Sequence, residues 1–255
     1  MRVMITRPAE DCAPLAADLK ARGIDSVIVP LMTIVHRPGP PLDLAGVQAL
    51  LVTSANGVRA FAARNPQRHA VVCAVGQATA HAARDAGFLR IATAAGDVDS
   101  LADMVRRTLD PAAGALVHVA GTIAAGDLAA QLRDAGFSCR REVLYEALKV
   151  ARLPEHAATH LREGTLDGVV FYSPRTARIF VELSRSAALA GRCAPMTAWC
   201  LSAAVAEQAK AVPWRQVVIA AHPDSVAMVD AIAGSADGAG RADPDFVSPP
   251  RTFPC

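Results

Sequence analysis

The residues best suited to chemistry in this chain are hydroxyls and amides that follow short apolar runs. Leu51-Val-Thr-Ser-Ala-Asn-Gly-Val-Arg-Ala-Phe61 leaves an apolar run through Thr53, Ser54, Ala55 and Asn56 and enters a helical spacing carried by Val58 and Phe61. Val170-Phe-Tyr-Ser-Pro-Arg-Thr-Ala-Arg-Ile-Phe180 repeats the pattern, so that Ser54 falls on Ser173, Arg59 on Arg178 and Phe61 on Phe180. A serine between strand and helix caps the helix. The free N–H groups of the first turn, aligned with the helix dipole, bind anions without needing lysine. Similar turns occur at Thr6-Arg7, at Gly76, Gln77 and Thr79, at Gly121, at Ser173-Pro174-Arg175 and at Ser202. Each follows an expected strand, and open parallel sheets bind ligands beyond the carboxyl ends of their strands. Singly, each serine is an ordinary helix cap. As a doubled set in two facing halves, they suit a large polyanion. Tyr145 adds a phenol near the end of its strand.

These turns need alternating strands and helices to hold them. Strands are expected at Arg2 to Ile5, Val27 to Pro30, Val47 to Val52, Ala70 to Val75, Phe88 to Thr93, Ala115 to Ala120, Cys139 to Leu148, Val170 to Tyr172, Thr197 to Leu201 and Gln216 to Ala220. Helices lie between them, one closing at Gly23 and another opening at Asp99. The echo extends beyond the serine turns: Leu15 to Gly23 matches Leu128 to Gly136, Ala74 to Ala80 matches Cys200 to Ala206 more weakly, and Asp99-Ser100 matches Asp224-Ser225. The expected fold class is α/β, with two similar domains, each a parallel sheet flanked by helices. Residues 1–35 plus 150–235 form one discontinuous domain and residues 37–148 the inserted one. His36-Arg-Pro-Gly-Pro-Pro41 and Lys149 to Pro154 mark crossings that run side by side between them. From Gly234 the chain is Gly-, Ala-, Asp-, Ser- and Pro-rich, and 236–255 is expected to be a disordered tail.

Composition narrows the function. The chain has 255 residues, 52% of them apolar and 20% charged, enough for a packed core. A net charge of +2 without a dense Lys/Arg run gives no nucleic-acid footprint. Met1-Arg-Val-Met-Ile-Thr-Arg-Pro8 enters a strand at once, so no signal peptide is expected, and no apolar stretch approaches the ~20 residues of a membrane span. Cys12, Cys73, Cys139, Cys193, Cys200 and Cys255 form no C-x-x-C and read as reduced, mostly buried thiols of a cytosolic protein. Gly121 and Gly126 have P-loop glycine spacing, but Asp127 stands where lysine is needed. His156 and His160 are a helix-surface pair rather than a metal site.

Five segments in order resemble the uroporphyrinogen-III synthase family: Ile5-Thr-Arg-Pro8, Thr53-Ser-Ala-Asn56, Ala74-Val-Gly76 with Thr79-Ala80, Val143-Leu-Tyr145-Glu146 and Tyr172-Ser-Pro174. The resemblance covers about residues 1–232. It implies two α/β domains joined by a two-stranded connector, an active site in the cleft, and neither metal nor organic cofactor. It also implies a monomeric cytoplasmic enzyme of tetrapyrrole (haem) biosynthesis, a cyclising hydro-lyase. Its substrate is hydroxymethylbilane, a linear polycarboxylate tetrapyrrole, and neither nucleic acid nor membrane is a partner. The implied reaction expels the terminal hydroxyl to give an azafulvene. Attack from the substituted carbon of ring D then forms a spiro intermediate, and fragmentation and reclosure give uroporphyrinogen III with ring D inverted. Tyr145 matches the tyrosine that assists departure of the hydroxyl, and Ser54, Thr79 and Ser173 match ligand-contacting positions. The chain departs from the pattern at Ser202 and Val205, which stand where the family commonly has Gly and Thr. The alternative is a non-catalytic two-domain cytosolic binding protein for an anionic small molecule. A nucleotide-dependent α/β enzyme is disfavoured because phosphate motifs are missing.

Overall fold

The computed structural model of the chain describes residues 1–123 and 126–239. In order, its elements are β1 (Arg2–Ile5), α1 (Cys12–Ala21), β2 (Asp25–Ile28), β3 (Met32–His36), β4 (Val47–Val52), α2 (Ala55–Arg64), β5 (Val71–Ala74), α3 (Gln77–Asp85), β6 (Ile91–Thr93), α4 (Val98–Thr108), β7 (Ala115–Gly121), α5 (Leu128–Asp134) and β8 (Cys139–Lys149). There follow α6 (Glu155–Glu163), β9 (Gly168–Phe171), α7 (Pro174–Ser186), β10 (Thr197–Cys200), α8 (Ala203–Ala209), β11 (Gln216–Ile219) and α9 (Ser225–Ala239).

Local chemistry places these boundaries. Ser54 caps α2 by accepting the N–H groups of Asn56 and Gly57, and Ser173 caps α7 by accepting that of Thr176, with Pro174 in the first turn. α6 ends at Gly164, whose φ of 65° lies in the left-handed region open to glycine. α4 starts earlier than its sequence suggests. Its cap is Asp97, which exchanges hydrogen bonds with Ser100, while Asp99 lies inside the first turn. The second strand occupies Asp25–Ile28 and the sixth is shortened to Ile91–Thr93. The last helix continues past Ile232 to Ala239, so residues 236–239 of the expected disordered tail are helical. The rest of the tail, 240–255, lies outside the described residues.

Among the described residues the strands form two sheets. The first, β11-β10-β9-β1-β2, is wholly parallel. The second, β3-β8-β7-β4-β5-β6, is parallel except that β3 runs antiparallel to the end of β8. The sequence reading assigns residues 32–35 to the first half; in the structure Met32 to His36 pair with Lys149 to Tyr145 in the second sheet's ladder. The two-stranded connector is thus β3 with the end of β8, residues 32–36 and 145–149, which end where the segments His36 to Pro41 and Lys149 to Pro154 expected as crossings begin.

Read from opposite ends of the chain's internal order, the two sheets are the same. β9, β10, β11, β1 and β2 occupy the places of β4, β5, β6, β7 and β8. The sequence echoes follow this correspondence: α7 repeats α2, α8 repeats α3, α9 repeats α4 and α1 repeats α5. One half is therefore a circular permutation of the other. Each sheet is covered on both faces. Met4, Val169, Phe171 and Ala198 pack under α6, α7 and α8, while Val3, Ile5, Val170 and Trp199 pack under α1 and α9. Leu50, Val52, Val117 and Val119 face α2 and α3, and Ala49, Leu51, Cys73 and Leu116 face α4 and α5. In each sheet the central pair sends its helices to opposite faces. This makes a crevice at β4/β7 and another at β9/β1, where doubly wound sheets bind ligands.

Candidate active site

A cavity of about 660 Å³ opens at the β4/β7 crevice and reaches the connector and the start of α7. That size lies within the usual range of small-molecule sites. Thr53, Ser54 and Asn56 enter it from the β4–α2 turn, Gly121 and Thr122 from the end of β7, Ser173, Pro174 and Arg175 from α7, and Tyr145 from β8. Residues far apart in sequence meet here because both halves aim their helix N-termini at the same space.

Tyr145 holds the centre. It is the last residue of β8 to pair with β7, opposite Gly121, and the first to pair with β3, opposite His36. The β7–β8 register slips between Ala120 and Gly121, so Val143 faces Ala120 while Tyr145, not Leu144, faces Gly121. Such a bulge re-aims the side chain that follows it. Leu144 and Tyr145, neighbours that a regular strand would send to opposite faces, share one apolar cluster. Gly121 leaves room for the ring: a Cβ there would come within 2.9 Å of the Tyr145 Cε2 and Cζ atoms. The phenol is 8% exposed, and its oxygen lies 3.1 Å from the Ser54 Oγ. Ser54 also accepts the Asn56 N–H at 3.1 Å and the Gly57 N–H at 3.4 Å. A hydroxyl has two acceptor lone pairs and one proton. Either hydroxyl can donate in the Ser54–Tyr145 contact; with Ser54 as the donor, the phenolic proton is left for a ligand.

The helix starts supply positive field. Neither α2 nor α7 has an acidic residue in its first turn, so nothing in those turns competes for an incoming carboxylate. Arg175 donates one Nη2–H to the Ala147 carbonyl of the connector at 2.6 Å and presents the rest of its guanidinium to the cavity.

Other residues singled out in the sequence lie elsewhere. Thr6 is fully buried and donates its hydroxyl to the Val170 carbonyl at 2.8 Å, bridging β1 and β9 at the first sheet's crevice. Arg7, Ala55 and Gln77 line a second cavity, of about 510 Å³, between α1, α2, α3 and the start of α9. There Arg7 pairs with Asp11 and stacks on the Tyr172 ring at 4.0 Å. Gly76 caps α3 next to Gly96, and Thr79 is buried within α3. Ser202 caps α8 without a side-chain hydrogen bond, and it is Ala204 that reaches the main cavity. Val205, on the same helix, packs in the core. His156 and His160 are each hydrogen-bonded singly, to the Ile28 carbonyl and to the Thr165 hydroxyl.

The family model for uroporphyrinogen-III synthase HemD matches residues 13–230. The chain belongs to the uroporphyrinogen-III synthase family. It is therefore related to enzymes of haem biosynthesis, and a curated uroporphyrinogen-III synthase from Chlorobaculum parvum is 28% identical over 199 residues, 71% of this chain and 78% of that one. Two solved uroporphyrinogen-III synthases share the fold. The one from Helicobacter pylori has a TM-score of 0.61 at 18% identity, over 92% of this chain and 100% of that chain. A mutant form from Thermus thermophilus has a TM-score of 0.56 at 17% identity, over 93% and 99%.

Within this synthase-family cavity the sequence reading missed His118, Asp97 and the connector residues Met32, Ile34 and Ala147. His118 left a trace in the sequence: it is the one polar side chain between Ala115 and Gly121. The described cysteines are all buried and free. Burial pushes the thiols of Cys12 and Cys73 up to about 11 and those of Cys193 and Cys200 up to about 12, which makes them poor nucleophiles.

Proposed function

We propose that the main cavity binds hydroxymethylbilane and closes it to uroporphyrinogen III, with loss of water and inversion of ring D. The observation that carries this reading is the Ser54–Tyr145 hydroxyl pair at the mouth of the β4/β7 crevice. Tyr145 is the catalytic group. Its free proton hydrogen-bonds to the terminal hydroxyl and stabilises its departure as water. Ser54 holds the phenol with its proton outward. Thr53, Asn56, Gly121, Ser173, Pro174 and Arg175 complete the binding surface, with the N-termini of α2 and α7 and the Arg175 guanidinium receiving acetate and propionate groups. The chemistry asks little of the protein beyond orientation. The bilane loses its hydroxyl unaided, and the choice of carbon on ring D depends on how the chain is folded in the cavity.

The domain division proposed, 1–35 plus 150–235 and 37–148, is supported by the two-sheet topology except at residues 32–35, which belong to the β3–β8 connector of the second sheet. A monomer is the simplest assembly, because one chain supplies every residue of the cavity described here. The cytoplasm is the proposed location; among the described residues no helix is long and apolar enough to cross a membrane. No metal or organic cofactor enters the proposed mechanism.

The test is an assay with freshly prepared hydroxymethylbilane followed by separation of the isomers. Predominant isomer III, retained after chelation and dialysis, is expected. An isomer ratio equal to that of spontaneous closure, which is mainly isomer I, would reject the enzyme reading and leave the non-catalytic binding protein.

A further inference from the structure

His118 lies on β7 opposite Leu51 of β4 and Arg141 of β8, is 3% exposed, and lines the main cavity. Among the described residues neither of its ring nitrogens has a hydrogen-bond partner. A buried side chain with two unmet hydrogen-bonding atoms is rare and weakens a fold unless a ligand or solvent completes it. Burial, reinforced by the Arg141 cation and opposed by Asp127, pushes the imidazole down to about 4, so it is neutral near pH 7. A neutral imidazole offers one donor nitrogen and one acceptor nitrogen.

The other polar groups of the cavity leave one need unmet. Helix N-termini, Arg175 and the Tyr145 proton are donors, suited to carboxylates and to the departing hydroxyl, while the lining acceptors Asn56 Oδ1 and Asp97 Oδ1 already accept from Arg59 and from the Ser100 N–H. A linear tetrapyrrole also carries pyrrole N–H groups, which need acceptors once they leave water. We propose that His118 is a substrate-binding residue whose unprotonated ring nitrogen accepts a hydrogen bond from a pyrrole N–H of the bound tetrapyrrole. This rests on the synthase reading above. The acceptor serves a second purpose: expulsion of the hydroxyl draws electron density from a pyrrole nitrogen, and an acceptor at its N–H stabilises the charge that develops there.

The experiment compares wild type, His118→Phe and His118→Asn. It reads melting temperature, kcat/KM for isomer III formation, and the Kd of uroporphyrinogen III measured without oxygen. Removing an unpartnered polar group should leave the melting temperature of His118→Phe equal to or above that of wild type, while kcat/KM and product affinity fall about tenfold, the worth of one hydrogen bond. His118→Asn, which keeps an acceptor, should recover part of the affinity. Three results would overturn the proposal: a folded His118→Phe within twofold of wild type in both constants, a melting temperature lowered in both variants, or no recovery in His118→Asn. Failure of wild type to make isomer III would instead strike the synthase reading, which that arm tests separately.

Discussion

The Ser54–Tyr145 hydroxyl contact sets the expectation for Tyr145→Phe. The phenol donates one hydrogen bond to a group that leaves without help, so its loss should cost roughly 1–3 kcal/mol, about ten- to a hundredfold in rate. Isomer III should persist, because the many contacts that fold the bilane remain. A stable variant with unchanged turnover would make Tyr145 a packing residue. His118 predicts a pH effect on stability. Its pKa is lowered in the fold from the ordinary 6.5 to about 4. The unfolded chain therefore binds the proton first as pH falls. The penalty for charging the buried ring is absent above about pH 6.5 and grows as pH falls towards 4, so that stability is lost over that range. The loss should reach about 2 kcal/mol by pH 5. Arg141 strengthens the effect, Asp127 weakens it, and Asp97 shares the cavity. Urea melts of wild type and His118→Phe should separate progressively between pH 7 and pH 5; parallel curves would show that the ring is solvated.

Two glycines control how the strands carry these side chains. At Gly121, a Cβ would press on the Tyr145 ring at 2.9 Å and on its hydroxyl at 3.2 Å. Gly121→Ala should thus lower turnover as Tyr145→Phe does, through displacement of the phenol from Ser54, with a modest fall in melting temperature. If turnover is preserved, the β7–β8 bulge is adaptable. Gly168 is more severe. A Cβ there would lie 2.1 Å from the Thr197 carbonyl oxygen and 2.3 Å from the Trp199 ring, in the middle of the first sheet. Backbone and a buried indole cannot both yield, so Gly168→Ala should cost about 3 kcal/mol, or roughly 6–12 °C in melting temperature. Calorimetry decides this, and a shift below 2 °C would mean that β9 and β10 slide apart easily.

At the scale of the molecule, two covered sheets are joined by the β3–β8 connector and by side-chain ties across the cleft. Arg59 of α2 pairs with Asp11 before α1, and Asp11 also holds Arg7. Arg175 of α7 bonds to the connector at Ala147. These contacts are few, and small inter-domain contacts allow relative motion. Scattering should show compaction when product is added. Arg59→Ala should enlarge the free protein and raise KM several-fold, since a partly buried ion pair of this kind contributes on the order of 1 kcal/mol. Identical profiles for both proteins, with and without product, would exclude a closing cleft.

Local signals in the sequence were enough for the units that repeat. An apolar run, a capping serine and a helical spacing appear together at Ser54 and again at Ser173, and each depends only on neighbours within a turn or two. The same echoes carried the α/β class and the likeness of the two halves, while their permuted strand order came from the sheet topology. Tertiary structure alone decided which hydroxyls face a ligand. Thr6 sits at a strand end as Ser54's neighbours do, yet its hydroxyl is taken by Val170 because β9 lies beside β1. Tyr145 faces the cavity because of a one-residue slip against β7, and no local pattern encodes that slip. Residues 32–35 read as part of the first half but joined the second sheet as a strand, because Tyr145 to Lys149 arrived alongside them from more than a hundred residues away. His118 was visible as a polar residue in an apolar strand, but its lack of a partner depends on what every packed neighbour fails to provide. Capping and periodicity are short-range and can be read from a chain. Register, strand neighbours and the satisfaction of buried polar atoms are long-range, and they exist only once the sheets have formed.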